Sequence, residues 1–405
     1  MNLLFICDEY PPGPHGGIGA VVQTLAREMV RQGHRVWVAG LYDYGYGGKD
    51  YEVEEGVAVY RLRKKSEWMG ISMRYTFYDK VLRKLLALTG RLEKETAEGL
   101  KRLQQLVQEL TAQHQLQIAE VPDYQHYTRQ VRQAVFFPDL GLPTVIRLHG
   151  GFVYFATEAG LPVPAAALQM EQKLLSEATA ISSVSRYTAD KTIAALGLHR
   201  DVFVLPNGVG AGALPDLDKK DPWRVIFTGS LLAKKGVFQL MEAWNTVIAH
   251  SPQARLAVYG KGDAEVLRAK LSPEARNTVV FHGHQPHRKV LEALQQASVA
   301  VLPSFAEAFA LAPLEAMACG VATVYSTRTS GPELIEDGVD GLLVDPSDVA
   351  AIAQATLSLL HQATYRKAIA KRGYEKIQKH YTIKQVAAAH QHFYESLLQS
   401  TPSAS

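Results

Sequence analysis

An α/β chain of two domains, each built on a buried parallel sheet covered by helices, is what this sequence predicts, on three observations. The first is length: 405 residues is more than twice a common single-domain size, which gives two domains of roughly 200 residues each. The second is the alternation of short apolar runs with longer helical patterns, the way parallel strands read when helices cover both faces of their sheet. The third is that the series restarts partway along. In the first half the expected strands are Leu3 to Cys7, Arg35 to Ala39, Ala58 to Leu62, Leu116 to Ala119, Thr144 to Leu148, Ala180 to Val184 and Val202 to Leu205. The second series runs through Arg224 to Phe227, Arg255 to Tyr259, Val279 to His282, Val299 to Leu302, Ala322 to Tyr325 and Gly341 to Val344.

Between the two series lies PNGVGAGALPDLDKKDP, rich in Gly and Pro and without apolar periodicity, which reads as a hinge. The expected division is therefore residues 1–205, a hinge at 206–221, and a second domain at 222–380. The closing segment, Ile352 to Leu398, keeps helical spacing with no strand to follow, and its last part, 381–405, is expected to pack back toward the N-terminal domain. The tail from Ser400 reads as frayed. One stretch departs from the alternation: Met73 to Leu110 is a long helical pattern carrying Lys80, Arg83, Lys84, Arg91, Lys94, Lys101 and Arg102. With RLRKK at 61–65 it makes a basic region, 61–102, that reads either as a solvated helix face or as a docking face for an anionic membrane or a charged acceptor.

Composition removes several classes. Hydrophobic residues at 47% and charged residues at 20% suit a globular protein and not a disordered, collagen-like or disulfide-rich one. A formal net charge of +3, with no dense basic run interleaved with aromatics, argues against a nucleic-acid partner. The two cysteines, Cys7 and Cys319, each stand beside apolar residues and read as buried free thiols in a reducing compartment. No run approaches the ~20 apolar residues of a membrane span, and the Leu3 to Cys7 run is too short, without a cationic lead, for a signal peptide. A cytoplasmic location, at most peripheral at the inner face of a membrane, is the expectation.

After the first strand, Gly16, Gly17 and Gly19 lead into a helix whose apolar positions are Val21, Val22, Leu25, Met29 and Val30. A glycine loop at a helix N-terminus offers backbone N–H groups and a positive dipole end to an anion, and glycine lets that anion approach the backbone. The spacing differs from G-x-G-x-x-G, and no acidic residue ending a second strand is well placed for a ribose, so a dinucleotide cofactor is not indicated. Taken alone, the loop reads equally as a tight strand-to-helix turn.

The second half carries the sharper signals. Its first strand ends in FTGSLLAKKG, where Gly229 makes the turn and Lys234, Lys235 and Gly236 precede a helix. A lysine on such a loop suits a diphosphate as a mobile point charge. Further on, SFAEAFALAPLEAMACG places Glu307 at the expected end of a strand and Glu315 eight residues later on a helix, with Phe309, Ala310 and Leu311 bringing backbone donors to its start. Two carboxylates so spaced can hold sugar hydroxyls and a ribose diol.

These residues stand in an order that resembles the retaining GT-B glycosyltransferases of family 4, whose E-x7-E motif is met by Glu307 and Glu315. The resemblance covers almost the whole chain: YPPGPHGGIG and AREMVRQGHRVWV, HG at 149, SVS at 183, PNGV at 206, TGSLLAKKG at 228, YGKGD at 259, FHGH at 281 and GPELIEDGVDGLLVDPSD at 331. It implies two Rossmann-like domains with parallel sheets facing a central cleft. It further implies transfer of a sugar from a nucleotide diphosphate sugar, a UDP-sugar foremost and GDP-mannose as the alternative, to a glycan, lipid or small-molecule acceptor.

By this resemblance Gly16 and Gly17 lie against the donor phosphates and His149 points from a strand end toward the donor sugar. Lys235 binds phosphate, Glu307 holds the transferred sugar and Glu315 the ribose. The amides of Ala310 and Leu311 neutralise the leaving diphosphate, Gly229 and Ser230 belong to the phosphate loop, and Gly283 flanks the base. Ser230 stands where the family has an arginine, so a bidentate guanidinium contact is missing and Lys234 is the compensating charge at hand. A nucleotide-sugar epimerase or hydrolase on the same scaffold, and a noncatalytic nucleotide-sugar-binding paralogue, are the alternatives. No metal and no cofactor are expected. Asp216-Leu217-Asp218 sits in the hinge, and His282, His284 and His287 match no common zinc spacing.

Overall fold

The computed structural model describes residues 1–13, 16–43, 45–64 and 89–400. The chain divides into two units, one of Met1–Pro206 with Val386–Ser405, the other of Asn207–Gln385. The described strands of the first unit are β1 Asn2–Ile6, β2 Arg35–Tyr42, β3 Tyr51–Glu54, β4 Val57–Arg63, β5 Ile118–Pro122, β6 Thr144–Leu148, β7 Ala180–Ser183 and β8 Val202–Val204. Those of the second are β9 Asp221–Thr228, β10 Arg255–Tyr259, β11 Val279–Gly283, β12 Ala297–Val301, β13 Ala322–Ser326 and β14 Leu342–Val344. The sheet orders are β3-β4-β2-β1-β5-β6-β7-β8 and β11-β10-β9-β12-β13-β14. Both sheets are parallel, as the apolar runs predict, apart from the β3–β4 pair.

Strand order reverses between β1 and β5 in one sheet and between β9 and β12 in the other. Loops leaving the carboxyl ends of such neighbours diverge, and the crevice they leave is where open α/β sheets take their ligands. In the first unit those loops begin at Cys7 and Asp123; in the second they begin at Gly229 and Leu302.

Strand β3 is absent from the sequence expectation for a physical reason. It has four residues, lies at the sheet edge, and leaves Tyr51 and Val53 exposed while Glu52 and Glu54 face inward to cations. An apolar-run criterion passes over such a strand. Its hairpin to β4 turns through Glu55 (φ 46°) and Gly56 (φ 86°), the paired positive φ angles that match the twist of antiparallel strands. Strand β2 also runs on to Tyr42, three residues beyond the expected Ala39, and Asp43 follows it with its carboxylate engaged by Lys64 at 3.3 Å.

Helix Arg91–His114 supplies Leu100, Leu103, Val107 and Leu110 to the core at the spacing of one helical face. The part of the expected helix at 73–88 and the lysines and arginines at 65, 80, 83 and 84 lie outside the described residues. Within the described portion of the basic region, Arg61 and Arg63 are spent inside the molecule, whereas Arg91, Lys94 and Lys101 are exposed. Arg61 is 2% exposed, pairs with Glu52 and donates to the carbonyls of Lys49 and Pro11; Arg63 pairs with Asp50.

The expected hinge is not an open linker along its length. Asn207, Gly208 and Val209 are buried, and the buried Lys220 Nζ donates to the carbonyls of Leu294 and Ala297 at 3.1 and 3.0 Å. Strand β9 begins at Asp221, three residues before the apolar run. Of the two free thiols Cys7 is buried, whereas Cys319, at the C-cap of helix Leu311–Ala318, is half-buried instead of enclosed.

The chain closes with helices Val349–His361, Ala363–His380 and Ile383–Ser400, the last joining the first unit from Val386 onward. Val386, His390, Phe393 and Tyr394 form its buried face. Tyr394 donates its hydroxyl to Glu120 Oε2 at 2.6 Å, and Arg147 meets His390 while donating to the Leu205 carbonyl at 2.9 Å. Burial, then the Arg147 cation, hold His390 well below its ordinary pKa, so the ring is neutral. Its Nδ1–H donates to the Val386 carbonyl and its Nε2 accepts from Arg147. Replacing Tyr394 by Phe leaves the buried Glu120 without this donor, and a loss of about 1–3 kcal/mol is expected. Denaturant unfolding checks it; an unchanged midpoint contradicts the assignment.

Candidate active site

The loops after β9 and β12 bring Lys235 against Glu307. After β9, Gly229 donates its N–H to the Tyr259 carbonyl and Leu231 to the Lys261 carbonyl, each at 2.9 Å. The turn Ala233–Lys235 then ends on Gly236, whose φ is 65° and whose Cβ, were there one, would lie 1.8 Å from the Pro303 carbonyl oxygen. Only glycine allows both the left-handed conformation and that approach. On the other side Phe305 donates its N–H to the Lys234 carbonyl at 2.8 Å. Pinned at both ends, the turn presents Lys235 Nζ to Glu307 Oε1 as an ion pair, and Ser304 Oγ donates to the same oxygen at 3.2 Å. The two side chains are 22% and 12% exposed.

Glu307 stands six residues beyond the end of β12, in the loop and not at the strand end expected from the apolar run. Helix Leu311–Ala318 follows, with Ala310 at its N-cap and no side chain capping its first amides. Those N–H groups remain as donors at a positive dipole end. Phe309 is fixed by its carbonyl, which accepts from Asn207 Nδ2 at 3.0 Å, and by its ring against Tyr381. One turn into the helix, Glu315 Oε1 meets His287 Nε2 at 2.8 Å. This hydrogen bond is the main reason the His287 pKa lies above its ordinary value. Gly260 donates to the Gly283 carbonyl at 2.9 Å, and a Cβ on Gly260 would lie 1.7 Å from the Gly229 carbonyl oxygen. Beside them Tyr259 and His282 stack at 4.3 Å. Gly229, Lys235, Glu307, Ala310, Leu311 and Glu315 thus all lie on loops, or on a helix reached from them, at the carboxyl edge of one sheet, and Gly283 ends β11 at that edge. Ser304 and His287 join these contacts; the sequence marks neither as a donor-site residue, and His287 stands out there only within a histidine group.

The first unit departs further from expectation. Gly17 and Gly19 are inside helix Gly17–Arg31, and Gly16 is its N-cap. The anion at this helix start belongs to the chain itself: Glu9 accepts from Gly16 N–H at 3.0 Å and Gly19 N–H at 2.7 Å. Gly16 therefore spends its amide on Glu9, whose carboxyl burial and then Asp8 push above its ordinary range. His126 stands 3.6 Å from both Asp8 and Glu9. The cue for this arrangement was the DEY run itself, two acids directly after a strand.

His149 follows β6 and is 9% exposed, with burial, then Arg147 and His390, holding it neutral. Its loop is gripped by two buried carboxyl groups. Asp123 Oδ1 accepts the His149 N–H at 2.8 Å, and Glu171 accepts from Phe152 at 2.7 Å and Val153 at 3.3 Å. Burial raises Asp123 to about 7, while burial and then Asp123 raise Glu171 to about 8. The D-x-D pair is engaged elsewhere, Asp216 with Lys219 and Asp218 with Lys367. Among the described residues no group of three or more His, Cys, Asp or Glu side chains is placed to hold a metal ion.

A two-domain α/β protein with a lysine–glutamate pair at a helix start defines a class, and comparison with known proteins names it. Residues 16–208 match the family model described as glycosyl transferase 4-like domain, and residues 215–376 match glycosyl transferases group 1. The chain belongs to the glycosyltransferases. It is 26% identical over 392 residues to a glycogen synthase of Mycobacterium tuberculosis, covering 92% of this chain and 89% of that one. It is 28% identical over 236 residues to a GDP-mannose-dependent phosphatidylinositol monomannoside mannosyltransferase of Corynebacterium glutamicum, covering 53% and 62%. Sucrose-phosphate synthase of Thermosynechococcus elongatus shares the fold at a TM-score of 0.75 and 19% identity over 99% and 100% of the two chains. Anabaena HepE, solved with UDP and glucose, does so at 0.71 and 16% over 98% and 100%. The fold is GT-B.

The raised pKa of Glu171 has a signed consequence. A carboxyl whose folded pKa is raised contributes stability that is fully present below its unfolded value near 4.5 and is lost as pH rises through about 8. Between pH 6 and 8.5 the parent should lose stability more steeply than Glu171→Gln, by up to about 1.4 kcal/mol per pH unit. Thermal unfolding across that range measures it, and parallel slopes contradict it.

Proposed function

We propose that the protein transfers a sugar, with retention of anomeric configuration, from a nucleotide diphosphate sugar to an acceptor hydroxyl, and that no metal is required. The observation that carries this reading is the Lys235–Glu307 pair beside the uncapped start of helix Leu311–Ala318. The leaving group of such a donor is a diphosphate, whose growing charge needs preorganised positive ends. Lys235 and the amides of Ala310 and Leu311 provide them, in the role that a metal ion fills elsewhere. Before the donor arrives, Glu307 balances the lysine. When diphosphate oxygens take over Lys235, the Glu307 carboxylate turns to accept from hydroxyls of the sugar, with Ser304 holding its Oε1. The leaving phosphate then takes the proton of the attacking acceptor hydroxyl. The Gly17 amide and the neutral His149 are proposed as the first unit's contributions to the same reaction.

A UDP-sugar is favoured as donor by the HepE complex and by an E. coli trehalose-6-phosphate structure bound with UDP-2-fluoro glucose. The mannosyltransferase relative makes GDP-mannose the alternative. A glycan or lipid-linked acceptor fits names among the relatives such as glycogen synthase and phosphatidyl-myo-inositol mannosyltransferase. Among the described residues no helix is long and apolar enough to cross a membrane. In a cytoplasmic protein working at a membrane surface, the described basic region would act there through the exposed Arg91, Lys94 and Lys101, since Arg61 and Arg63 are spent internally.

Lys235→Ala and Glu307→Ala should each lower the transfer rate by about 10²–10³, the scale of losing a transition-state donor. The measurement is release of nucleoside diphosphate and labelled product from UDP-glucose and GDP-mannose with acceptor, on variants shown to be folded. Undiminished turnover in either variant refutes the reading. Donor breakdown that proceeds equally without acceptor points to a hydrolase instead.

A further inference from the structure

We infer that His287 orients the Glu315 carboxylate for a ribose diol and thereby sets how strongly the protein prefers ribonucleotide over deoxyribonucleotide donors. The inference rests on the donor reading above and concerns the nucleoside end of the same site. His287 is the first residue of helix His287–Gln296, and Glu315 lies on helix Leu311–Ala318, 28 positions along the chain. Their contact at 2.8 Å ties two helices together through a carboxylate that is 16% exposed and an imidazole that is 67% exposed. Among the described residues no other side chain hydrogen-bonds to that carboxylate.

A glutamate has three side-chain torsions, and left alone on a helix it samples many directions, a freedom that is lost when a ligand must fix it. One hydrogen bond to Oε1 removes most of that freedom in advance. It also leaves Oε2 whole and a further lone pair on Oε1, enough acceptors for the two neighbouring hydroxyls of a ribose. A tethered carboxylate cannot turn away to water when those hydroxyls are missing. Its unmet acceptors then count in full against the deoxy analogue, which is how a site built around a substrate hydroxyl rejects molecules lacking it. An untethered glutamate would swing out and forgive the loss. The exposure of His287 suits this role: no neighbouring side chain needs its bulk, so its substitution tests the hydrogen bond and not the core.

The test is the affinity of the full chain for UDP and GDP and for their 2′,3′-dideoxy counterparts, by calorimetry, in the parent, His287→Ala, His287→Gln and Glu315→Ala. The parent should bind the ribose form at least about tenfold more tightly than the dideoxy form. His287→Ala should weaken the ribose form about tenfold and leave the dideoxy form unchanged, so that the preference collapses. His287→Gln, which keeps an N–H donor, should restore much of it. In turnover, KM for donor should rise while kcat holds. A preference unchanged in His287→Ala but lost in Glu315→Ala overturns the inference and leaves the donor reading standing. Failure of the parent to bind any nucleoside diphosphate removes the donor reading and this inference with it.

Discussion

The contact on which the proposed site depends is between two pieces of backbone. Gly236 passes so close to the Pro303 carbonyl that no side chain fits, and Phe305 returns a hydrogen bond to Lys234 from the opposite loop. Together these lock the loop after β9 to the loop after β12, across the point where strand order reverses. Lys235 and Glu307 inherit their geometry from that lock. Side chains on separately mobile loops would lose entropy each time they met; here the backbone has already placed them. The same economy appears at Gly260, which sits against the Gly229 carbonyl and carries the fixing outward to Gly283.

Carboxyl groups do the corresponding work in the first unit. Glu9 occupies the start of helix Gly17–Arg31, Asp123 and Glu171 grip the loop of His149, and Glu120 receives the closing helix through Tyr394. Each satisfies backbone or hydroxyl donors that would otherwise be buried unpaired, and each is held above its ordinary pKa with burial as the leading cause. A glycine-rich helix start is an anion site by its nature, and part of the one at helix Gly17–Arg31 is already filled from within by Glu9.

Much of the fold was legible because parallel strands buried on both faces are apolar through most of their length, as in NLLFI and ASVAV. Their ends were less so, since hydrogen bonding continues through polar residues such as Asp221 and Ser326 that a hydrophobic run does not mark. The edge strand Tyr51–Glu54 escaped because its inward residues are glutamates answering arginines. In the second unit, Lys235, Glu307 and Glu315 could be read from spacing and resemblance, but their partners could not. Whether Glu315 meets solvent or His287, and whether Ser304 joins Glu307, depends on loops brought together across the sheet. The partner of Gly16 is hidden for the same reason: Glu9 lies on the far side of the turn.

The most direct test of the central claim is the affinity difference between a nucleoside diphosphate and its monophosphate, measured by calorimetry in the parent and in Lys235→Ala. If Lys235 and the helix start form a diphosphate site, the diphosphate binds the parent at least about tenfold more tightly and the variant erases most of that gap. Equal affinity for the two nucleotides in the parent, or a gap untouched by the substitution, contradicts the account.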